Sequence, residues 1–156
     1  MRLADVLRKE RIRNKFSTEE MASRLSLTLS EYSQVETDSS SVEEWGMKLC
    51  RIAVILGVPI SRLISNNGKA IGARLEVGQC GKLIKSRRES KGLTPQAFAA
   101  ELEWSMDEVT LIEGGKSPLE AYAPLLLHFA EVINQPLFNL FYPAGVPLSK
   151  LQDYPS

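Results

Sequence analysis

The chain contains an internal repeat, which constrains its fold because both copies must build the same unit. A shift of 77 residues places residues 3–64 on residues 80–141 without a gap. Identities are few, but apolar side chains fall on apolar side chains along the whole alignment. The shift superposes these identical residues: Arg11 on Arg88, Ala22 on Ala99, Leu25 on Leu102, Glu31 on Glu108, Glu36 on Glu113, Ala53 on Ala130, Pro59 on Pro136 and Leu63 on Leu140.

Helical signals recur in both copies. Apolar residues return at three- and four-residue spacing, and no useful stretch alternates every two residues as a strand would. Residues typical of helix N-caps precede these stretches at Ser17, Thr28, Ser41, Thr94, Ser105 and Ser117. The pattern predicts five short helices near residues 3–13, 18–25, 29–36, 42–56 and 60–64, and five more 77 residues later. Pro124 is expected to delay or kink the fourth helix of the second copy.

A break in the periodicity separates the two copies. Asn66, Asn67 and Gly68 begin a stretch rich in residues that favour turns. The sequence therefore predicts an all-α protein with two tandem domains. The predicted segments are domain 1 at residues 1–65, a linker at 66–79, domain 2 at 80–143 and a tail at 144–156.

Charge and cysteine content exclude few partners. Nineteen basic and nineteen acidic residues cancel, although a local patch can still steer nucleic-acid binding. Cys50 and Cys80 lack the spacing of a zinc or redox site, and we expect buried thiols in a reducing compartment. The N-terminus is charged from its second residue, and the apolar runs are too short to cross a bilayer. We expect a cytoplasmic protein without a membrane segment.

No residue pattern indicates catalysis. The run Gly114–Ser117 is similar to the end of a phosphate-binding loop, but Thr110 occupies the position of its first glycine. His128, the single histidine, lies in an apolar stretch and is expected to pack. Ser/His/Asp, Cys/His and paired-carboxylate arrangements all lack the supporting spacing. We expect no enzyme, no cofactor and no metal site.

The order of the signals resembles the Cro/C1-type (XRE-like) helix-turn-helix family. A basic first helix is followed by an Ala-containing second helix, a short turn and a third helix ending in Ile-Glu-x-Gly or a related run. Residues 81–118 (GKLIKSRRESKGLTPQAFAAELEWSMDEVTLIEGGKSP) follow this order closely, and residues 4–41 follow it more loosely. The resemblance implies two tandem lambda-repressor-like five-helix domains and a DNA-binding transcriptional regulator.

The resemblance also assigns a structural role to two charged pairs. In the family, an arginine of the first helix forms a salt bridge with a glutamate at the end of the third. The matching residues are Arg11 with Glu36, and Arg88 with Glu113. A partly buried pair of this kind sets the register of one helix on another.

The third helix carries the family's DNA contacts, because its N-terminal residues enter the major groove. The matching base-reading positions in the first copy are Leu29, Ser30 and Gln34. Gln34 can make two hydrogen bonds to adenine, Ser30 can bond several bases, and Leu29 can contact a thymine methyl group. Thr28 and Ser33 are expected to bond phosphates.

The second copy is less suited to DNA at the same positions. Met106, Asp107 and Leu111 replace the reading residues, and Asp107 beside Glu108 would repel a polyanion. Lys116, in the following turn, is the residue of this copy that we assign to DNA. The first 64 residues carry a net charge of +1 and the last 77 carry −2. The first copy is therefore the better candidate for base reading.

Two functions remain open at this point. The leading hypothesis is a transcriptional regulator that binds double-stranded DNA through domain 1. The alternative is a degenerate helix-turn-helix protein that acts as a protein–protein interaction module, with domain 2 contacting the partner. Aromatic residues concentrated in residues 137–142 are also consistent with a homodimer. Whether the two units form a rigid pair is left open.

Overall fold

The structure is a computed structural model that describes residues 2–37, 41–69, 78–141 and 143. These residues are helical with intervening turns and contain no β-strand. The predicted tail and residues 70–77 of the predicted linker lie outside the described residues. The helices are α1 (Leu3–Arg13), α2 (Thr18–Arg24), α3 (Leu29–Val35), α4 (Val42–Leu56), a 3-10 helix (Ile60–Leu63), α5 (Gln79–Ser90), α6 (Pro95–Leu102), α7 (Met106–Glu113), α8 (Leu119–Val132) and α9 (Phe138–Phe141).

The helices of the two halves follow the 77-residue shift. We call residues 2–69 the N-terminal half and residues 78–143 the C-terminal half. The start of each helix in the C-terminal half lies within one residue of the shifted position, so the predicted helices are confirmed. The expected delay at Pro124 is wrong, because α8 begins at Leu119 and includes the proline. At the start of α8 the Leu119 N–H donates to the Ser117 hydroxyl, and the N–H groups of Ala121 and Tyr122 donate to the Pro118 carbonyl.

Side-chain caps start four of the described helices, α2, α3, α6 and α7. Ser17, Thr94 and Ser105 each accept a hydrogen bond from the backbone N–H three residues later. Thr28 does the same while Glu31 accepts from the Thr28 N–H, which completes a capping box. Ser41 makes no such bond, so the cap that the sequence suggests at α4 does not form.

Helix α1 and helix α5 are capped instead by distant glutamates. Glu43 of α4 accepts a hydrogen bond from the Leu3 N–H. Its counterpart Glu120 of α8 accepts from the N–H groups of Gly78 and Gly81, at 2.7 and 3.0 Å. A carboxylate at a helix N-terminus satisfies unpaired N–H groups and favours the helix dipole. These contacts tie the first and fourth helices of each half together.

One hydrophobic core runs through both halves. Helix α4 packs along α8, and the last element of each half packs on the first helix of the other half. The 3-10 helix packs on α5, while α9 packs on α1. Cys50 and Cys80 are buried thiols, as expected. The reciprocal contacts make the two halves a closely packed, two-fold-like pair. None of the described helices is long and apolar enough to cross a membrane.

Candidate nucleic-acid interface

Apart from Glu31, the exposed side chains of α3 and of its N-cap residue form one edge. Thr28, Leu29, Ser30, Ser33 and Gln34 are all exposed to solvent, and we call them the α3 edge. The buried side of the same helix consists of Tyr32 and Val35, which anchor it in the core. Tyr32 and Val35 are spaced by one helical turn, so they share the buried face of α3. The five candidate residues therefore lie together on the solvent-facing side.

An ion pair holds the end of α3 against α1. Arg11 Nε and Nη2 donate to the two carboxylate oxygens of Glu36 at 2.8 and 3.2 Å. Arg11 Nη1 also donates to the Phe16 carbonyl at 2.8 Å, in the turn before α2. The hydrogen bond to Glu36 is the main cause of a raised pKa at Arg11. One guanidinium therefore links α1, the turn before α2 and the end of α3.

The C-terminal half contains the same arrangement. Arg88 Nε and Nη2 donate to Glu113 at 2.7 and 3.1 Å, and Nη1 donates to the Leu93 carbonyl at 2.8 Å. The structure therefore brings both predicted pairs together with the same bonding pattern. This pair is the more enclosed of the two, with side-chain exposures of 6% for Arg88 and 10% for Glu113.

The outer edge of α7 differs in chemistry from the α3 edge. Met106 and Leu111 are exposed at 37% and 43%, and Asp107 is exposed between them in sequence. Lys116 is also exposed, in the turn that follows the helix. Apolar and acidic groups can contact a protein surface, but they offer little to a phosphate backbone.

Some exposed cations of the N-terminal half are partly neutralised by neighbours. Helix α1 and the turn after it carry four exposed basic residues, of which Arg8 pairs with Asp5 at 2.7 Å and Arg13 approaches Glu10 at 3.4 Å. The other two exposed cations are Lys9 and Lys15. Exposed pairs of this kind are weak and exchange readily for a phosphate oxygen.

A lysine joins the two halves beside α7. Lys48 of α4 forms an ion pair with Glu108 of α7, and its ammonium lies 4.2 Å from the Trp45 ring centre and 5.3 Å from that of Trp104. Burial opposes the charge, but the hydrogen bonds and charges of Glu108 and Glu44 outweigh it and raise the pKa of Lys48. Glu108 therefore belongs to the contact between the two halves. Of these two neighbouring acidic residues, only Asp107 presents an exposed carboxylate at the outer edge of α7.

We expect Glu108→Gln to lower the free energy of unfolding by roughly 1 kcal/mol, because the ammonium between two rings loses its nearest carboxylate. Urea unfolding monitored by circular dichroism measures this change. Glu44→Gln is the matched control, since Glu44 contacts the same ammonium from 3.4 Å but is 61% exposed. Equal losses in the two variants would contradict the importance of the contact between the halves.

A cleft lies beside the α3 edge, between α3 and α8. Its volume is about 480 Å³. Most of its wall is apolar or aromatic, and its polar side chains are Glu31, Gln34 and His128. His128 is half-buried in this wall. Gln34 thus belongs both to the α3 edge and to the rim of a cleft.

Two parts of this region were not predicted from the sequence. The Lys48–Glu108 pair and the cleft both form between segments about 60 to 100 residues apart, for which helical periodicity carries no signal. The large aromatic Trp104, in the turn before α7, was the one sequence feature that pointed to this contact. Within the described residues, no group of three or more His, Cys, Asp or Glu side chains could hold a metal ion.

The chain matches no protein-family model, no curated protein and no solved structure. The chemistry of the exposed edges therefore carries the functional argument.

Proposed function

We propose that this protein is a DNA-binding transcriptional regulator built from two tandem helix-turn-helix units, in which the N-terminal half reads bases. The observation that carries the proposal is the α3 edge. It presents an amide, three hydroxyl groups and an apolar side chain together, and the exposed carboxylate beside them, that of Glu31, is engaged in the capping box with Thr28. These groups suit adenine, phosphate oxygens and a thymine methyl group.

The position of α3 supports this use. A reading helix must be held at a set angle, and the three-way bonding of Arg11 supplies such a constraint at the C-terminal end of α3. The capping box of Thr28 and Glu31 stabilises the other end. Glu31 belongs to this box and directs one oxygen to the backbone of Thr28, at 2.9 Å. The edge is therefore firmly supported at both ends.

The C-terminal half serves, in this proposal, as a paired scaffold with weaker DNA contacts. Its packing against the N-terminal half is reciprocal, so α7 is the counterpart of α3 in a two-fold-like unit. Lys116 is its candidate phosphate contact, whereas Asp107 opposes a polyanion. Unequal contacts from the two halves favour a recognition site that is not a perfect palindrome.

Binding to double-stranded DNA tests the proposal. We expect affinity for random duplex DNA to fall with salt, with a log–log slope of about −2 or steeper, because at least two or three phosphates are neutralised. Fluorescence anisotropy at several salt concentrations measures the slope. No binding at low salt would remove DNA from the proposal.

Variants of the α3 edge and of the outer edge of α7 distinguish the DNA-binding roles of the two halves. On a selected site, Gln34→Ala is expected to cost about 1–3 kcal/mol of binding free energy and to relax preference at one base pair. Asp107→Ala is the matched control on α7 and is expected to leave affinity unchanged or improve it. A loss of affinity in Asp107→Ala alone would reverse the assigned roles.

A protein-interaction module is the second candidate. The observation that favours it is the exposure of Met106 and Leu111 beside Asp107 on α7. Methionine is common at the centres of protein interfaces. If duplex DNA does not bind at low salt, this α7 edge becomes the leading contact surface.

A further inference from the structure

The 77-residue shift relates the cleft to a second place in the fold. Leu27, Glu31, Tyr122, Leu125 and His128 of the cleft wall correspond to Lys48, to three residues that contact it and to Arg51. The counterparts, in the same order, are Trp104, Glu108, Trp45, Lys48 and Arg51. Two equivalent pairs of helices, α3 with α8 and α7 with α4, therefore form two junctions with different side chains.

The counterpart junction is filled by this chain's own groups. The Lys48 ammonium lies between the Trp45 and Trp104 rings and pairs with the Glu108 carboxylate. Arg51 approaches Glu103 at 3.5 Å across the same boundary. A ring and a cation thus occupy the space between the third helix of one half and the fourth helix of the other.

The cleft lacks the counterparts of the Trp104 ring and the Lys48 ammonium. Leucine stands at position 27 instead of tryptophan, and at position 125 instead of lysine, which leaves about 480 Å³ between α3 and α8. The acidic residue remains, since Glu31 matches Glu108. Among the described residues, no lysine, arginine or histidine forms an ion pair with Glu31.

We propose that this cleft is a binding site for a small arylalkylamine, in which a flat ring is joined to a protonated amino group by a short carbon chain. The ring takes the space that Trp104 fills at the counterpart junction. The ammonium lies against Tyr122 and the Glu31 carboxylate, as Lys48 lies against Trp45 and Glu108. The ring and the ammonium of the ligand therefore correspond to Trp104 and Lys48, which fill the equivalent junction of the same chain.

The dimensions and charge of the cleft fit this ligand class. A volume of about 480 Å³ lies within the range typical of small-molecule sites, roughly 300–1,000 Å³. Leu25, Leu27, Val35 and Leu125 supply apolar wall for the ring. Hydrogen bonds from Thr28 lower the pKa of Glu31, so its carboxylate is charged at neutral pH. The site does not depend on the DNA-binding proposal, because none of these contacts involves nucleic acid.

Isothermal titration calorimetry of the whole chain with tryptamine tests the proposal at pH 8, at which a primary alkylamine is protonated. We expect one site per chain. The neutral analogue 3-methylindole should bind more weakly, and indole-3-propionate should bind least because its carboxylate faces Glu31. Absence of tryptamine binding at millimolar concentration, or equal binding of the three probes, would overturn the proposal.

Two variants locate the site. Glu31→Gln keeps the capping box, because glutamine serves equally at that position, and is expected to weaken tryptamine about tenfold through loss of a charge-assisted contact. Binding of 3-methylindole should not change. The double variant Leu27→Trp/Leu125→Lys copies the counterpart junction into the cleft and is expected to abolish binding of all three probes. If the double variant does not fold, Glu31→Gln decides, since that position is exposed.

Sedimentation velocity distinguishes a small ligand from other occupants. We expect the chain to remain at one oligomeric state with and without tryptamine. If the chain alone dimerises and the double variant is monomeric, a second copy occupies the cleft and the proposal is wrong. Unchanged tryptamine affinity in both variants would also overturn it.

Discussion

Replacement of Glu113 by alanine is expected to lower the free energy of unfolding by about 3 kcal/mol, because it leaves the Arg88 guanidinium enclosed without its partner. Arg88 has a side-chain exposure of 6%, and two of its nitrogen atoms donate to Glu113. The remaining bond to the Leu93 carbonyl cannot neutralise the charge. Urea unfolding of the wild type and the variant measures the loss.

A double variant separates the cost of a stranded charge from the value of the pair. Arg88→Met/Glu113→Leu replaces both charges with apolar groups, and such replacements are often close to neutral. We therefore expect it to be more stable than Glu113→Ala. Arg13→Ala is the exposed control and should change stability by less than about 0.5 kcal/mol, since Arg13 is 74% exposed. A loss below about 1 kcal/mol in Glu113→Ala would contradict a structural role for the pair.

Gly81→Ala is expected to cost about 3 kcal/mol, because a Cβ at this position would clash with the backbone of α7. It would lie 2.3 Å from the Ile112 carbonyl oxygen and 2.9 Å from the Gly115 nitrogen. Backbone atoms at a helix end cannot move aside without separating α5 from α7. The steric cost exceeds the roughly 1 kcal/mol that alanine gains over glycine in a helix. Thermal and urea unfolding measure the difference.

Gly46→Ala is the matched control for this second prediction. Gly46 is also a buried helical glycine, but its added Cβ would meet the Leu3 Cδ2 methyl group at 2.5 Å, which is the mobile end of a side chain. We expect a loss of about 1 kcal/mol or less, since a rotamer change relieves the contact. Equal losses in the two variants would show that backbone approach does not explain the need for Gly81.

The position equivalent to Gly81 in the N-terminal half is Ala4. A methyl group is accepted there, so the two halves do not pack their first and third helices equally closely. The difference could not be predicted, because both residues are small and sit at the same point of the helical pattern. It follows from the separation of α5 and α7, which the rest of the half determines.

Parts of the candidate interface were predictable from local chemistry. The exposed set on α3 follows from helical period, and the pairing of Arg11 with Glu36 follows the family resemblance. Glu108 was not predictable. Its position beside Asp107 suggested an exposed acidic edge, whereas its carboxylate pairs with Lys48 of the other half. The pair depends on how α4 lies against the C-terminal half.

The repeat and most helix bounds were determined by the sequence alone. Apolar period, cap residues and turn residues act over a few positions, so each half specifies its helices from local signals. The tertiary structure decided how the halves meet and where they differ. Trp104 and Lys48 fill one junction between the halves, whereas the equivalent junction, lined by Leu27 and Leu125, is open. Contacts between segments far apart in the chain depend on which faces pack, and periodicity does not encode that choice.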